Sequence, residues 1–179
     1  MKNAKTIALC AVLIALALAL SYTERFIPLQ LLIPLPGVKL GLANIVTLVA
    51  LYLLKKRYVY VILALRCLMG AVFGGGITGL LFSMCGGVLA LTVMALAKKT
   101  SFFSVYGVSI LGAAAHNVGQ IGAAMLLMRS VYVAAYLPYL LLVGIVTGLL
   151  TGCACAGVLK GLSYTSISAP VEMQNFRRK

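Results

Sequence analysis

Residues 113–124 read AAAHNVGQIGAA. The stretch lies inside an otherwise apolar run, Val105–Met128, long enough to cross a bilayer as a helix. It contains the only histidine of the chain, His116, together with Asn117 and Gln120. Lipid offers polar groups no partners, so side chains of this kind have to face protein or a watery cavity. His116 and Gln120 are one helical turn apart and share a face, and Asn117 flanks them. Ala115, Gly119 and Ala123 form a small-residue stripe beside that face, where another helix can approach closely. The pattern implies a bundle of membrane helices whose interior carries polar groups at this point.

The composition agrees. Of 179 residues, 63% are hydrophobic and 9% charged, against about 25% charged in a soluble domain. We read an all-α integral membrane protein with six transmembrane helices. The spans are expected at about 6–22, 39–54, 58–73, 78–97, 105–128 and 138–160. Together they form one membrane domain, 1–165, followed by a basic tail, 166–179. Gly74, Gly75 and Gly76 end the third span. The segment TERFIPLQLLIPLPG (23–37) holds three prolines, which disfavour a regular span. It reads as an outer loop folded back as a cap, or as a short interfacial helix. The N-terminus also has signal-peptide features, but its apolar stretch is long for one.

The net charge of +13 is gathered in short clusters between apolar runs. This is a topology signal rather than a nucleic-acid-binding face, and no nucleic-acid partner is expected. With the N-terminus inside, eleven basic residues fall on the cytoplasmic side: Lys2, Lys5, Lys55, Lys56, Arg57, Lys98, Lys99, Lys160, Arg177, Arg178 and Lys179. Three fall outside: Arg25, Lys39 and Arg129. Both termini are therefore expected in the cytoplasm of a bacterium, with the protein in its inner membrane.

Arg66 falls near the middle of the third span, where an arginine costs about 2.5–3.5 kcal/mol on insertion scales. The spans contain no carboxylate, so backbone, Asn or Gln, the loop residue Glu24, or an anionic or acceptor-bearing ligand has to satisfy it. Asn44 lies about a turn from the outer end of the second span. Asn44, Arg66, His116, Asn117 and Gln120 can converge on an outward-opening cavity that holds a small, acceptor-bearing or anionic molecule. Lys39 would stand at its mouth. Interhelical hydrogen bonding is the competing reading of the same residues. The glycines 144, 148 and 152 of the sixth span read as packing within the chain. The stripe Ala11, Ala15 and Ala19 reads equally as packing or as a docking surface for another membrane protein.

Other chemistries lack their residues. The chain has no aspartate, and its acids are Glu24 and Glu172. Magnesium-dependent diphosphate chemistry needs paired carboxylates. No G-x-x-x-x-G-K-[ST] is present. The five cysteines suggest neither disulfides nor a metal site. No enzyme activity and no cofactor is expected.

The segments PGVKLGLANIVTLVALYLL (36–54), LRCLMGAVFGGG (65–76), FSMCGGVLALTVMAL (82–96), VSILGAAAHNVGQ (108–120) and LPYLLLVGIVTGLLTG (137–152) resemble the Gx transporter family. Its members are often labelled heptaprenyl diphosphate synthase component I. That family is similar in architecture to the substrate-binding S-components of energy-coupling factor (ECF) transporters. The resemblance implies a six-helix, ECF S-component-like bundle with cytoplasmic termini. It implies capture of a small ligand from outside, and a separate transmembrane coupling protein and ATPases as partners. An A-x-x-x-A pattern on the first helix docks the partner in those proteins, and Ala11 and Ala15 stand in the matching place. The family label also implies an alternative, a non-catalytic membrane accessory of heptaprenyl diphosphate synthesis.

Overall fold

The polar face of the 105–128 helix has to be covered, and its neighbours in the chain cover it. A computed structural model describes residues 2–26, 41–100 and 102–164. Among these residues six α-helices follow one another: α1 (Lys2–Thr23), α2 (Asn44–Leu53), α3 (Lys56–Gly70), α4 (Gly76–Lys99), α5 (Val105–Met128) and α6 (Leu137–Tyr164). The described residues contain no strand. Four stretches of them are long and apolar enough to cross a membrane: Ala4–Thr23, Lys56–Lys99, Val105–Met128 and Val131–Tyr164. The chain is a membrane protein of all-α architecture.

Local chemistry sets the breaks. Ser104 caps α5, its hydroxyl oxygen accepting from Gly107 N–H at 3.3 Å. Arg129 closes α5 in a left-handed conformation, φ 49°. The 44-residue stretch Lys56–Lys99 is interrupted at Phe73 and Gly74, which leave helical geometry, with Gly74 at φ 99°. Contacts across this break give the direction of the two helices it separates. Tyr60 Oη meets Thr92 Oγ1 at 3.0 Å, and Leu63 and Arg66 meet Gly87. As one number rises the other falls, so α3 and α4 form an antiparallel hairpin.

The same arithmetic orders the rest. Gly112 faces Met94 and Gly119 faces Cys85, so α4 and α5 are antiparallel. Gly144, Gly148 and Gly152 face Asn117, Ile110 and Tyr106 in turn, so α5 and α6 are antiparallel too. These alternations bring Lys55, Lys56, Arg57, Lys98, Lys99 and Lys160 to one end of the bundle and Arg129 to the other. Glu24 reaches Gly41 at the end away from the lysines. That sets Lys5, at the start of α1, at the basic end.

α2 is short, about 15 Å, half of a hydrocarbon core. Lys98 fixes its end: the ammonium donates to Leu51 O at 2.8 Å and lies over the Tyr52 ring. The outside of the bundle is apolar, with Val12, Leu16, Leu68, Leu142 and Leu150 exposed. Aromatic residues flank that band. Phe102 and Phe103 sit at the basic end, and Tyr22, Phe26 and Tyr132 at the other, where the amphipathic tyrosine rings suit a membrane interface.

The helix boundaries differ from the expected spans in physically simple ways. α5 matches its expected limits. The first, fourth and sixth helices run further at their ends, because Lys and Tyr can extend a helix beyond the apolar core. The second begins at Asn44 rather than 39, since Gly41 takes φ +81° and breaks the helix there. The cap segment from 27 onward, Lys39 and the tail 166–179 lie outside the described residues.

Glycine is required where helix backbones touch. A Cβ on Gly119 would fall 2.6 Å from the carbonyl oxygen of Cys85, and one on Gly148 2.7 Å from Cα of Ile110. Gly119→Val should therefore destabilise the bundle by about 1–3 kcal/mol, the usual range for overpacking. Gly157→Ala, inside α6 and meeting nothing within 4 Å, should leave it as stable as the parent or raise it by up to about 1 kcal/mol. Thermal unfolding of the two variants in detergent tests this, and equal midpoints would contradict the close approach.

Candidate ligand site

α5 carries His116 into the bundle, and two glycines make room for it. On the α4 side, a Cβ at Gly86 would lie 2.9 Å from His116 Nδ1 and Cε1. On the other side, a Cβ at Gly41 would lie 3.3 Å from His116 Cδ2 and 2.8 Å from Asn44 Nδ2. The imidazole is held in a slot between them and is 4% exposed. Gly41 is required twice, for this clearance and for its positive φ.

Gly41 also ties the slot to α1. Its N–H donates to Glu24 Oε1 at 2.6 Å. Glu24 lies in a single 3-10 turn, Glu24–Phe26, that comes directly after α1. Its carboxylate is buried, 4% exposed, within electrostatic reach of Arg66. The guanidinium reaches Asn44, Nη2 donating to Oδ1 at 3.4 Å, a long bond. Its Nε has no hydrogen-bond partner among the described residues. A buried donor left open costs about 1–3 kcal/mol, so the site is short of at least one acceptor.

Glu24, Gly41, Asn44, Arg66 and His116 thus meet at one place, drawn from the turn after α1, the residue stretch before α2, and α2, α3 and α5, with Gly86 and Gly87 of α4 as a wall. Gln120 is fully buried one turn further along α5. Asn117 turns away. Its amide donates to Leu140 O at 2.6 Å and packs on Gly144, so it joins α5 to α6. Lys39, expected at the mouth, lies outside the described residues.

α3 stops at Gly70, four residues after Arg66, and Arg66 meets Gly87 near the middle of α4. From this depth it reaches Asn44, beside the Glu24–Gly41 pair. The sequence leaves Glu24 as one option for Arg66 and gives no sign of Gly41 and Gly86. These glycines stand in KLGLAN and SMCGG. A glycine's role as clearance for a distant ring has no signature in one sequence.

The small-residue stripes divide. Those of α5 and α6 are used within the chain, as the contacts of Gly119, Gly144, Gly148 and Gly152 show. Ala11, Ala15 and Ala19 are exposed, whereas Leu13 and Ala17 on the other face of α1 are buried. No group of three metal-ligating side chains occurs among the described residues.

A family model described as heptaprenyl diphosphate synthase component I matches residues 13–158. No curated protein and no solved structure matches the chain.

The two roles given to polar residues of α5 separate by experiment. Asn117→Ala should lower stability by about 1 kcal/mol, the scale of interhelical hydrogen bonds in membranes. Gly41→Ala should cost more, because it adds a left-handed penalty of about 1–2 kcal/mol to the clash with Asn44 and His116. Unfolding midpoints in detergent give the order. A Gly41→Ala variant as stable as the parent would refute the slot.

Proposed function

The chain belongs to the heptaprenyl diphosphate synthase component I family, and within that family we propose that it is the substrate-binding membrane subunit of a small-molecule uptake transporter. The observation that carries this reading is the buried cluster around Arg66. Arginine is among the most expensive residues to place inside a membrane. Here it comes with a carboxylate, an amide, an imidazole and an unfilled donor. A ligand with a hydrogen-bond acceptor supplies what Nε lacks. His116 and Asn44 add contacts, and Gln120 lies one turn deeper.

The charges set the orientation. The basic end faces the bacterial cytoplasm, as the positive-inside rule requires, with both termini on that side and six membrane crossings. The ligand site then sits in the outer half of the plasma membrane, and ligand arrives from outside. In this reading the chain binds its ligand without transforming it and does not power transport itself. Energy comes from partners, a coupling membrane protein and ATPases of the kind that serve ECF S-components. The exposed face of α1, with Ala11, Ala15 and Ala19, is where they dock.

The family description favours a second reading, a non-catalytic membrane accessory in heptaprenyl diphosphate synthesis. The partner tells the two apart. Purification from native membranes in mild detergent, followed by mass spectrometry, should recover a coupling protein and ATPases. The double variant Ala11→Phe, Ala15→Phe should reduce that recovery at least about tenfold, a loss of ~1.4 kcal/mol. Its folding should be intact, because both side chains are exposed. Recovery of a soluble prenyl transferase instead would overturn the transport reading in favour of the second.

A further inference from the structure

A groove of about 770 Å³ runs along the outside of α4 and α5, away from the Arg66 cluster. Cys85, Val88 and Leu89 wall it on α4, and Gly119, Gly122 and Leu126 on α5. Its floor is the close contact of Gly119 with the backbone of Cys85 and Gly86. Gly122 has no atom within 4 Å of where its Cβ would stand, so the groove keeps free space beside a helix backbone. With Cys85 opposite Gly119, the distance from Thr92 to Leu126 along the antiparallel pair is about 21 Å. That is two-thirds of a hydrocarbon core.

The two ends of the groove differ. Thr92 closes the end nearer the lysines and brings the one hydroxyl of its lining. That hydroxyl is already engaged, by Val88 O at 2.8 Å and Tyr60 Oη at 3.0 Å. Beyond Thr92 the same face of α4 continues through Leu96 to Lys99, about two turns away, and both are exposed. Tyr60 brings α3 alongside, and Arg57, one turn before it, is exposed at the same end, where its guanidinium lies over the Tyr58 ring and donates to Tyr58 Oη at 2.9 Å, leaving its other N–H groups to the surface. An apolar channel thus leads to two cations on neighbouring helices at the membrane surface. Lys98 is not one of them, because it is half-buried and its ammonium is turned inward onto Leu51 O and the Tyr52 ring.

The geometry points to a specific site for an anionic phospholipid of the surrounding bilayer. One acyl chain lies between α4 and α5, and the phosphodiester is held by Lys99 and Arg57. Two exposed cations on separate helices suit a singly charged phosphodiester. The open side of the groove admits a chain directly from the bilayer, and the second acyl chain stays in the lipid. The bound chain covers the back of the Cys85–Gly86 segment, whose front holds His116. The lipid site is independent of which of the two functional readings is correct.

Native mass spectrometry of the full chain in mild detergent tests it, with phosphatidylglycerol and phosphatidylcholine of identical acyl chains as probes. Phosphatidylglycerol should be retained in preference. Each of Lys99→Gln and Arg57→Gln should weaken its retention about fivefold, the effect of one basic residue near ~1 kcal/mol at a membrane surface. Gly122→Phe should abolish retention by filling the free space. Should that variant not fold, Val88→Trp fills the groove from a partly exposed position. Leu142→Trp, on the exposed face of α6, is the control and should behave as the parent. Equal retention of the two lipids, or unchanged retention in folded groove-filled variants, would overturn the site. Displacement of phosphatidylglycerol by equimolar geranylgeranyl diphosphate would overturn its assignment to a phospholipid.

Discussion

One constraint organises this molecule: a guanidinium has to live inside a membrane. Arg66 is 7% exposed, and hydrocarbon provides it with nothing. Every element near it contributes to its surroundings. α1 ends where Glu24 can come within reach, and α2 begins with Asn44. Gly41 links these two by holding the Glu24 carboxylate with its N–H. The shortness of α2 belongs to the same arrangement. A helix starting at 39 would turn Gly41 into an ordinary helical residue and remove both the bond to Glu24 and the space for His116. The polar cluster and the irregular start of α2 are one feature.

Glycine solves the complementary problem of bringing backbones together where no hydrophobic effect drives helices to associate. Dispersion between closely fitted surfaces has to do the work. The α5–α6 contact uses Gly144, Gly148 and Gly152 as a ladder against Asn117, Ile110 and Tyr106. Rungs of the ladder also carry polar bonds: Asn117 to Leu140 O, and Ser109 to Thr151 at 2.6 Å. The α4–α5 contact is tighter still at Gly119 and Gly86. Its second consequence is the lateral groove, because two helices whose backbones touch leave a valley on the side away from the bundle. α1 does not share in this packing. Ala11, Ala15 and Ala19 face outward, and the buried side of the helix is carried by Leu13 and Ala17.

The sequence was informative where physics acts locally. The limits of α5 come from an apolar run bounded by Ser104 and Arg129. The break at Gly74–Gly76 comes from glycine's freedom, and the sorting of lysines to one end from alternating apolar runs. The polar members of the cluster could be named because polar residues in apolar runs are conspicuous. The pairing of these residues was less legible. Asn117 and His116 are adjacent on one helix, yet one serves the α6 contact and the other faces Gly86 and Gly41. A rotation of about 100° about the helix axis separates the two environments, and periodicity cannot say which neighbour stands on which side. Glu24 was one candidate partner among several, because its contact depends on how a connection of about fifteen residues closes, which is a tertiary fact.

The position of Arg66 carries the functional argument further than its identity. It lies ten residues beyond Lys56 and meets Gly87, twelve residues before Lys99, so it stands about 15–18 Å from the basic end of the bundle. From there it reaches Asn44 at the start of α2, close to the bond between Gly41 and Glu24. Glu24, Asn44, Arg66, His116 and Gln120 lie at that depth or further from the lysines. The half nearer the lysines is packed with Leu51, Ile62, Leu91 and Met94. In that part the buried hydroxyls of Ser109 and Thr151 bond each other at 2.6 Å, so these polar groups are satisfied within the chain. Around Arg66 a donor is left open among the described residues, at Nε, and that contrast, rather than polarity alone, marks the place where a further acceptor fits.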